Sequence, residues 1–461
     1  MTPLWTSDEI AAATGGTASK PFKVTGLTFD SREVQAGDLF VAMPGTVHDG
    51  HRFVEGAFGA GAAGAIVSQP VNGPHVLVED TFAALQALAR ASRERCRATI
   101  FGVTGSVGKT STKEALYAAL DRNRPGKVHR SVKSYNNHTG VPLSLSRMPR
   151  DVEFAVFEMG MNNAGEIAAL TRQVRPHVAL ITAIAPAHIE NLGSEEAIAD
   201  AKAEIFEGLE APGIAIVPND TPHRDRLVRA ARRHAEHIIT FGGGDADVRA
   251  VHAVEANSGG SLISAQLAAR ELTFTISQRG EHWVSNALAV LAAVEAVEAD
   301  VAIAGLALAE LGGLEGRGER HVIAIDGGEL LLIDESYNAN PASMAATLKS
   351  LGDERGVTRR IAVLGPMREL GEHGPALHAG LAPAIQAAHV DRLVLIGEEM
   401  RPLAEKLVGI VSFDLVSTVA EASESLRRMI RPGDAVLVKA SNSVGLAKLV
   451  ESMAKEPACS T

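Results

Sequence analysis

Cysteine is almost missing from these 461 residues: Cys96 and Cys459 are the two. Two thiols that far apart build neither a disulfide framework nor a metal-type spacing, and such usage fits a reducing compartment. Basic blocks are missing too. Asp and Glu outnumber Lys and Arg 55 to 44, a formal net charge of −11, which argues against nucleic acid or an anionic membrane as a main partner. No hydrophobic run is long enough to span a bilayer. The alanine-rich GAFGAGAAGAIV (56–67) gives way to polar residues within a strand's length. The opening MTPLWTSDEI has neither a basic segment nor an apolar core, so no signal peptide is expected. A cytoplasmic protein without membrane insertion is the expectation, and no repeat or low-complexity segment complicates it.

What is present is 46% hydrophobic residues, ample for sizeable cores, over a length that suggests about three domains. Short apolar runs alternate with helical patterns: DLFVAM, GAAGAIVS, HVLVED, TIFGVTG, FAVFEMG, VALITAI, IAIVPND, RIAVLG, RLVLIG and AVLVKA. Continuous rather than alternating hydrophobicity in short strands predicts an α/β protein whose parallel sheets carry helices on both faces. The charged SRERCR before Ala98 and the glycine-rich GGLEGRGER (312–320) read as joints. They divide the chain into 1–96, 97–314 and 315–461.

The most informative stretch is FGVTGSVGKTSTKEA (101–115). Thr99–Val103 reads as a strand, Gly105, Ser106, Val107 and Gly108 as a turn, and Lys109 onward as a helix. Leu116 and Leu120 share one face of that helix, and Pro125-Gly126 ends it. Small residues let backbone N–H groups close round phosphate oxygens at the helix's positive end. Lys109 would offset the β/γ-phosphate charge, Thr110 would ligate Mg2+, and Ser111 completes the loop. Val103 stands where the usual pattern has its first glycine. No N-K-x-D segment for guanine is present, which favours ATP over GTP. The run FAVF ends in Glu158, a carboxylate placed to face the metal.

A second stretch, AHIENLGSEEAIADAKAEIFEGL (187–209), starts a helix at Ser194 and carries an apolar stripe through Ile198, Ala201, Ile205 and Leu209. Lys202 borders that stripe, either as a snorkelling side chain or as a partly buried, chemically special lysine. His188 is either a satisfied loop histidine or a functional one. The residue pattern leaves both pairs of readings open.

Together TGSVGKTSTKE, NNHTGVPLSL (136–145), FEMG and AHIENLG…AKAEIF resemble the Mur ligases, ATP-dependent enzymes that form the amide bonds of the peptidoglycan stem peptide. The similarity runs in order along the chain. FDSREVQAGDLFVAMPG (29–45) with DGH (49–51) is similar to the family's UDP-sugar-binding domain. GEHWVSNALA (280–289) is similar to the end of its central domain, and LEGRGER (314–320) with IDESYNANPASM (333–344) to its carboxy-terminal share of the ATP site. The resemblance implies three domains: an amino-terminal UDP-sugar-binding unit, a central P-loop parallel sheet, and a Rossmann-like carboxy-terminal domain that binds the incoming dipeptide. SYNANPASM and VLGPMRELG are similar to the member adding D-alanyl-D-alanine to UDP-N-acetylmuramoyl-tripeptide. The D-N-P-R segment of the diaminopimelate-adding member is not found. Folylpolyglutamate synthase shares the P-loop but lacks the UDP-type domain that residues 21–80 resemble.

By resemblance, Lys109, Lys202 and His188 are catalytic, and Thr110, Glu158, His188 and Lys202 surround magnesium. Lys202 matches a lysine carbamylated by CO2, a reaction that needs a neutral amine. Asn286 matches an adenine contact, Arg317 a phosphate contact and Asp334 a ribose contact. Ser31, Arg32, Asn136, Asn137, Thr139, Asn338 and Asn340 match substrate positions. Two departures fall in the third domain: Pro366 stands for an aspartate, and Lys439-Ala-Ser-Asn442 for K-G-S-R. They bear on dipeptide contacts, not on the reaction class. The implied activity is carboxylate phosphorylation by ATP followed by amine attack on the acyl phosphate, in a monomer serving cell-wall growth, shape and division. The competing readings are another Mur-type or folylpolyglutamate-type ligase and a nucleotide-switched binding protein.

Overall fold

The computed structural model describes residues 3–45, 49–256, 259–268 and 270–455; Cys459 lies outside them. The short apolar runs become strands in three main sheets, because a segment buried on both faces has no polar face to show water. In the first sheet Gly26–Thr28, Asp38–Val41, Gly64–Val67 and His75–Leu77 run parallel, and Thr17–Ala18 closes one edge antiparallel. Helix Thr81–Arg95 lies on it. Asp80 caps this helix by accepting from the amides of Phe82 (2.7 Å) and Ala83 (3.1 Å). Leu85 and Leu88 join Leu39, Val41 and Ile66 in the core beneath.

The second sheet has nine strands. Thr99–Thr104 sits between Phe154–Glu158 and Val178–Ile181, and the parallel run extends from Val128–Arg130 to Val248–Glu255. Helices Lys109–Asn123, Glu281–Ala296 and Val301–Glu310 cover one face over Phe101, Val103, Leu116 and Leu120. The other face carries Gly140–Ser146, Glu166–Val174 and Glu195–Ala203. One edge departs from the expectation of parallel strands. Val248–Glu255, Ser261–Gln266 and Glu271–Ile276 form an antiparallel meander. Ser261–Gln266 alternates between buried and more exposed side chains, so one face of that edge stays wet.

In the third sheet Gly328–Glu335, Asp434–Lys439, Arg359–Leu364, Arg392–Ile396 and Ser412–Val416 are parallel, with Glu319–Ile325 antiparallel at the edge. Specific polar contacts tie the sheets together. Trp5 Nε1 donates to the carbonyl of Ser146 at 2.9 Å, and Arg93 Nε to that of Val174 at 2.8 Å. Buried Glu354 of the third unit accepts from Arg320 (2.6 Å) and from Arg279 of the second (3.2 Å). Among the described residues no helix is long and apolar enough to cross a membrane.

From Thr99–Thr104 the chain passes to Val128–Arg130 and then Phe154–Glu158 on one side, and afterwards to Val178–Ile181 on the other. A parallel sheet opens a crevice beyond its strand ends where successive connections leave to opposite sides. The phosphate-type loop occupies this point.

Candidate active site

Two glycines let the loop fold. Gly105 has φ +151°, and a Cβ there would lie 1.9 Å from the Thr182 hydroxyl. Gly108 has φ +81°, and a Cβ there would meet the Asn286 amide oxygen at 2.8 Å. Both a side chain and an ordinary backbone conformation are therefore ruled out at these turns. Ser106 braces the loop: its hydroxyl donates to the carbonyl of Ala185 (2.8 Å) and accepts from that residue's amide (3.0 Å). Helix Lys109–Asn123 begins without a side-chain cap, which leaves its first-turn amides and positive dipole end for an anion. Lys109 Nζ folds back onto the carbonyl of Gly105 at 2.6 Å. Burial and the nearby Arg317 lower its pKa, against the carboxylates of Glu158 and Glu369.

A cavity of about 530 Å³ opens over this loop. Ser106 to Ser111, Glu158, His188, Asn286 and Arg317 line it, along with Asn136, Asn137, Asn338 and Asn340. Gly105, Asp334, Lys202, Thr139, Ser31 and Arg32 do not.

Glu158 is fully buried at the strand end. Its Oε2 accepts from the Thr110 hydroxyl at 2.9 Å, and its Oε1 from Asn136 Nδ2 at 2.7 Å. Neutral donors hold the carboxylate in place without cancelling its charge. A hydroxyl beside a carboxylate is a hard oxygen pair that fits Mg2+. Asn136, expected at a substrate, lines the cavity and also orients Glu158.

Lys202 is 1% exposed, and among the described residues its ammonium makes no hydrogen bond or ion pair. Burial first, then repulsion from Lys109, pushes its pKa well below the usual lysine value. The snorkelling reading is therefore excluded. A buried amine driven toward its neutral form fits the chemistry of a carbamate. The helix expected to continue past Lys202 stops at Ala203, and a 3-10 turn, Glu204–Gly208, carries Ile205 into the core. His188 takes the left-handed conformation (φ +59°), and its Nδ1 contacts the carboxylate of Glu369, a residue of the third unit.

That third unit supplies Arg317, whose guanidinium lies 4.1 Å over the Tyr337 ring and 3.5 Å from the Ser134 hydroxyl. Of the residues expected at ligands, Asp334 and Thr139 do not line the cavity, whereas Asn340 and Asn137 line it and also brace local structure. Asp334 is buried behind the wall: Oδ2 accepts from the amide of Gly316 (3.1 Å) and Oδ1 from that of Ser336 (2.9 Å). It shapes the turn that carries Arg317 and does not face the cavity. Asn340 caps helix Pro341–Gly352, its side-chain oxygen accepting from the amide of Ser343 at 2.9 Å. The Asn137 side-chain oxygen accepts from the amide of Gly140 (2.9 Å) and the hydroxyl of Thr139 (3.0 Å), which keeps Thr139 within its own loop.

Ser31 and Arg32 stand on the first unit, where Arg32 pairs with Asp30 and is largely exposed. They flank Glu33, which Lys133 reaches from the second unit, while Tyr135 stacks on Phe29 at 5.8 Å. A continuous path thus leads from this face through residues 133–136 to Glu158. Ser134, Thr182, Trp283, Tyr337 and Glu369 were not singled out from the sequence. Thr182 and Ser134 carry no sequence signal. Trp283, Tyr337 and Glu369 lie inside GEHWVSNALA, SYNANPASM and VLGPMRELG.

Comparison with known families places this geometry. Residues 23–98 match the model of the Mur ligase family catalytic domain, 103–294 the Mur ligase middle domain, and 316–442 the Mur ligase glutamate ligase domain. The chain is 36% identical to the UDP-N-acetylmuramoyl-tripeptide–D-alanyl-D-alanine ligase of Synechocystis over 95% of its length and 94% of the relative's. It is 34% identical to the Bacillus subtilis protein of that name, covering 98% and 99%. Among solved structures, MurF from Acinetobacter baumannii superimposes with a TM-score of 0.84 at 29% identity, covering 99% of this chain and 100% of that one. MurF ligase from Thermotoga maritima in complex with ADP gives 0.76 at 28% identity, covering 94% and 97%.

Proposed function

Since the chain belongs to the Mur ligase family, we infer from its site and relatives that it is an ATP-dependent ligase adding D-alanyl-D-alanine to UDP-N-acetylmuramoyl-tripeptide, a step of peptidoglycan precursor synthesis. The observation that carries this is a phosphate loop and the buried Thr110–Glu158 pair facing Arg317 from a separate unit across one cavity. A nucleotide switch needs no such third-unit contribution. ATP transfers its terminal phosphoryl group to the tripeptide's terminal carboxylate, releasing ADP; the dipeptide's amine then attacks the acyl carbon of the resulting acyl phosphate, and phosphate leaves as the amide forms.

The chain's own residues do the positioning. The loop amides and Lys109 balance charge on the transferring group, and Arg317 adds a second cation from the far wall. Thr110 and Glu158 would hold Mg2+, which would supply charge that lowers the repulsion between the phosphates and the incoming carboxylate. Lys202, once carbamylated, would turn a cation into an anion near Lys109. Asn286 borders the loop where adenine is expected. Segments 1–96, 97–314 and 315–461 serve as the three domains, and their closure keeps water from the acyl phosphate. The protein works as a cytoplasmic monomer in cell-wall biogenesis, and through it in cell shape and division.

Phosphate release from ATP with Mg2+ tests the reading directly. Release should require both UDP-N-acetylmuramoyl-tripeptide and D-Ala-D-Ala and give a product heavier by the dipeptide. Release with another amino acid in place of the dipeptide would overturn the acceptor assignment.

A further inference from the structure

Beside the nucleotide cavity lies a second one of about 410 Å³. The two share a wall that includes Lys109, His188 and Asn338. The far side of the second cavity comes from the third unit, through Arg368, Glu369 and Ser441 to Ser443. Its lining contains one carboxylate, Glu369. We propose that the Glu369 carboxylate binds the ammonium group of the incoming dipeptide and so sets its nitrogen beside Lys109, where the acyl phosphate forms. This rests on reading the chain as a ligase for a dipeptide.

Three observations carry the assignment. A zwitterionic dipeptide brings one ammonium, and one anionic side chain lines this cavity to receive it. Glu369 is also fixed in place. It has φ +63° and contacts His188 at φ +59°, two non-glycine residues in the left-handed region meeting across the junction of the second and third units. The carbonyl of Glu369 accepts from the amide of Glu190 at 3.4 Å, which adds a backbone tie across that junction. Backbone strain of this kind persists where the surroundings over-determine it, and it concentrates at ligand clamps. Finally, Glu369 lies within electrostatic reach of Lys109, the residue common to both cavities. The ammonium site and the phosphate site are therefore neighbours. At the same turn Arg368 supplies a cation to the lining, and its amide donates to the Ser441 hydroxyl at 2.9 Å.

The test compares the wild-type chain with Glu369→Gln, which keeps the side chain's shape beside His188 but removes the charge. Phosphate release is measured with D-Ala-D-Ala as acceptor, and separately with hydroxylamine, a small neutral nucleophile that needs no ammonium site. The KM for D-Ala-D-Ala should rise about 10- to 100-fold, as expected for losing a hydrogen bond between charged groups. The KM for ATP and the rate of hydroxamate formation should stay at wild-type values. An unchanged dipeptide KM would overturn the proposal, as would an equal loss with hydroxylamine, which marks a merely structural role. Wild-type release that ignores the dipeptide altogether would sink the ligase reading and this inference with it.

Discussion

The Thr110 hydroxyl donates to Glu158 Oε2 across 2.9 Å, joining the first turn of the phosphate-loop helix to the end of the neighbouring strand. Asn136 holds the other carboxylate oxygen, so Glu158 is aimed by two neutral donors. The arrangement predicts that Glu158→Gln lowers kcat about 10²- to 10³-fold, the scale of removing one oriented electrostatic group. The Mg2+ concentration for half-maximal phosphate release should rise at the same time. A magnesium titration checks both effects. An unchanged magnesium requirement would remove Glu158 from the cation site.

Lys202 yields a stability prediction with a definite sign. Its folded pKa is depressed from the ordinary 10.5, so the unfolded chain holds the extra proton between the two values, and stability rises with pH across that window. Lys202→Met removes a buried cation. In CO2-free buffer it should therefore be more stable than wild type by about 1–2 kcal/mol, with the gain full below the depressed value and lost toward pH 10.5. Thermal unfolding against pH measures this. The same substitution should abolish ligase activity, and isotope-labelled bicarbonate should give a carbamate carbon signal in the wild type alone.

Asp334 separates two roles that activity alone would confuse. Both its oxygens accept backbone amides, so Asp334→Asn should cost about 1–3 kcal/mol of stability through one poorly matched amide. It should weaken ATP and 2′-deoxy-ATP by the same factor, because the turn carrying Arg317 loosens for both. KM values for the two nucleotides provide the check. A loss confined to ATP would place the carboxylate on the ribose.

Arg317 stacks on Tyr337 and faces Ser134, a geometry that a lysine does not reproduce. Arg317→Lys should raise the KM for ATP about tenfold, in the range of one desolvated charge–π contact with its hydrogen bond, and leave the dipeptide KM alone. Initial-rate kinetics with each substrate varied in turn would show it.

Some of this was written plainly in the chain. Gly105 to Ser111 read as a phosphate loop because every group it needs is contiguous and its turn glycines admit no substitute. The parallel strands showed through because burial on both faces leaves unbroken apolar runs. The meander of Val248–Ile276 was hidden because one-faced burial dilutes its apolar residues with polar ones. Lys202 sat at a helical position compatible with either water or core, and only the packing of Glu195–Ala203 on the sheet decides between them. The bracing roles of Asp334 and Asn340 were hidden, because their partners are backbone amides, which carry no residue identity for a sequence to reveal. Glu369 lay unnoticed in VLGPMRELG, since its importance comes from meeting His188 across two folding units.

In the proposed reaction ATP phosphorylates the tripeptide carboxylate before the dipeptide attacks. Labelling that carboxylate with heavy-isotope oxygen tests it most directly. One labelled oxygen is expected in the released phosphate for each amide formed, with the other retained in the amide carbonyl. Phosphate free of label, or label appearing in AMP, would contradict it.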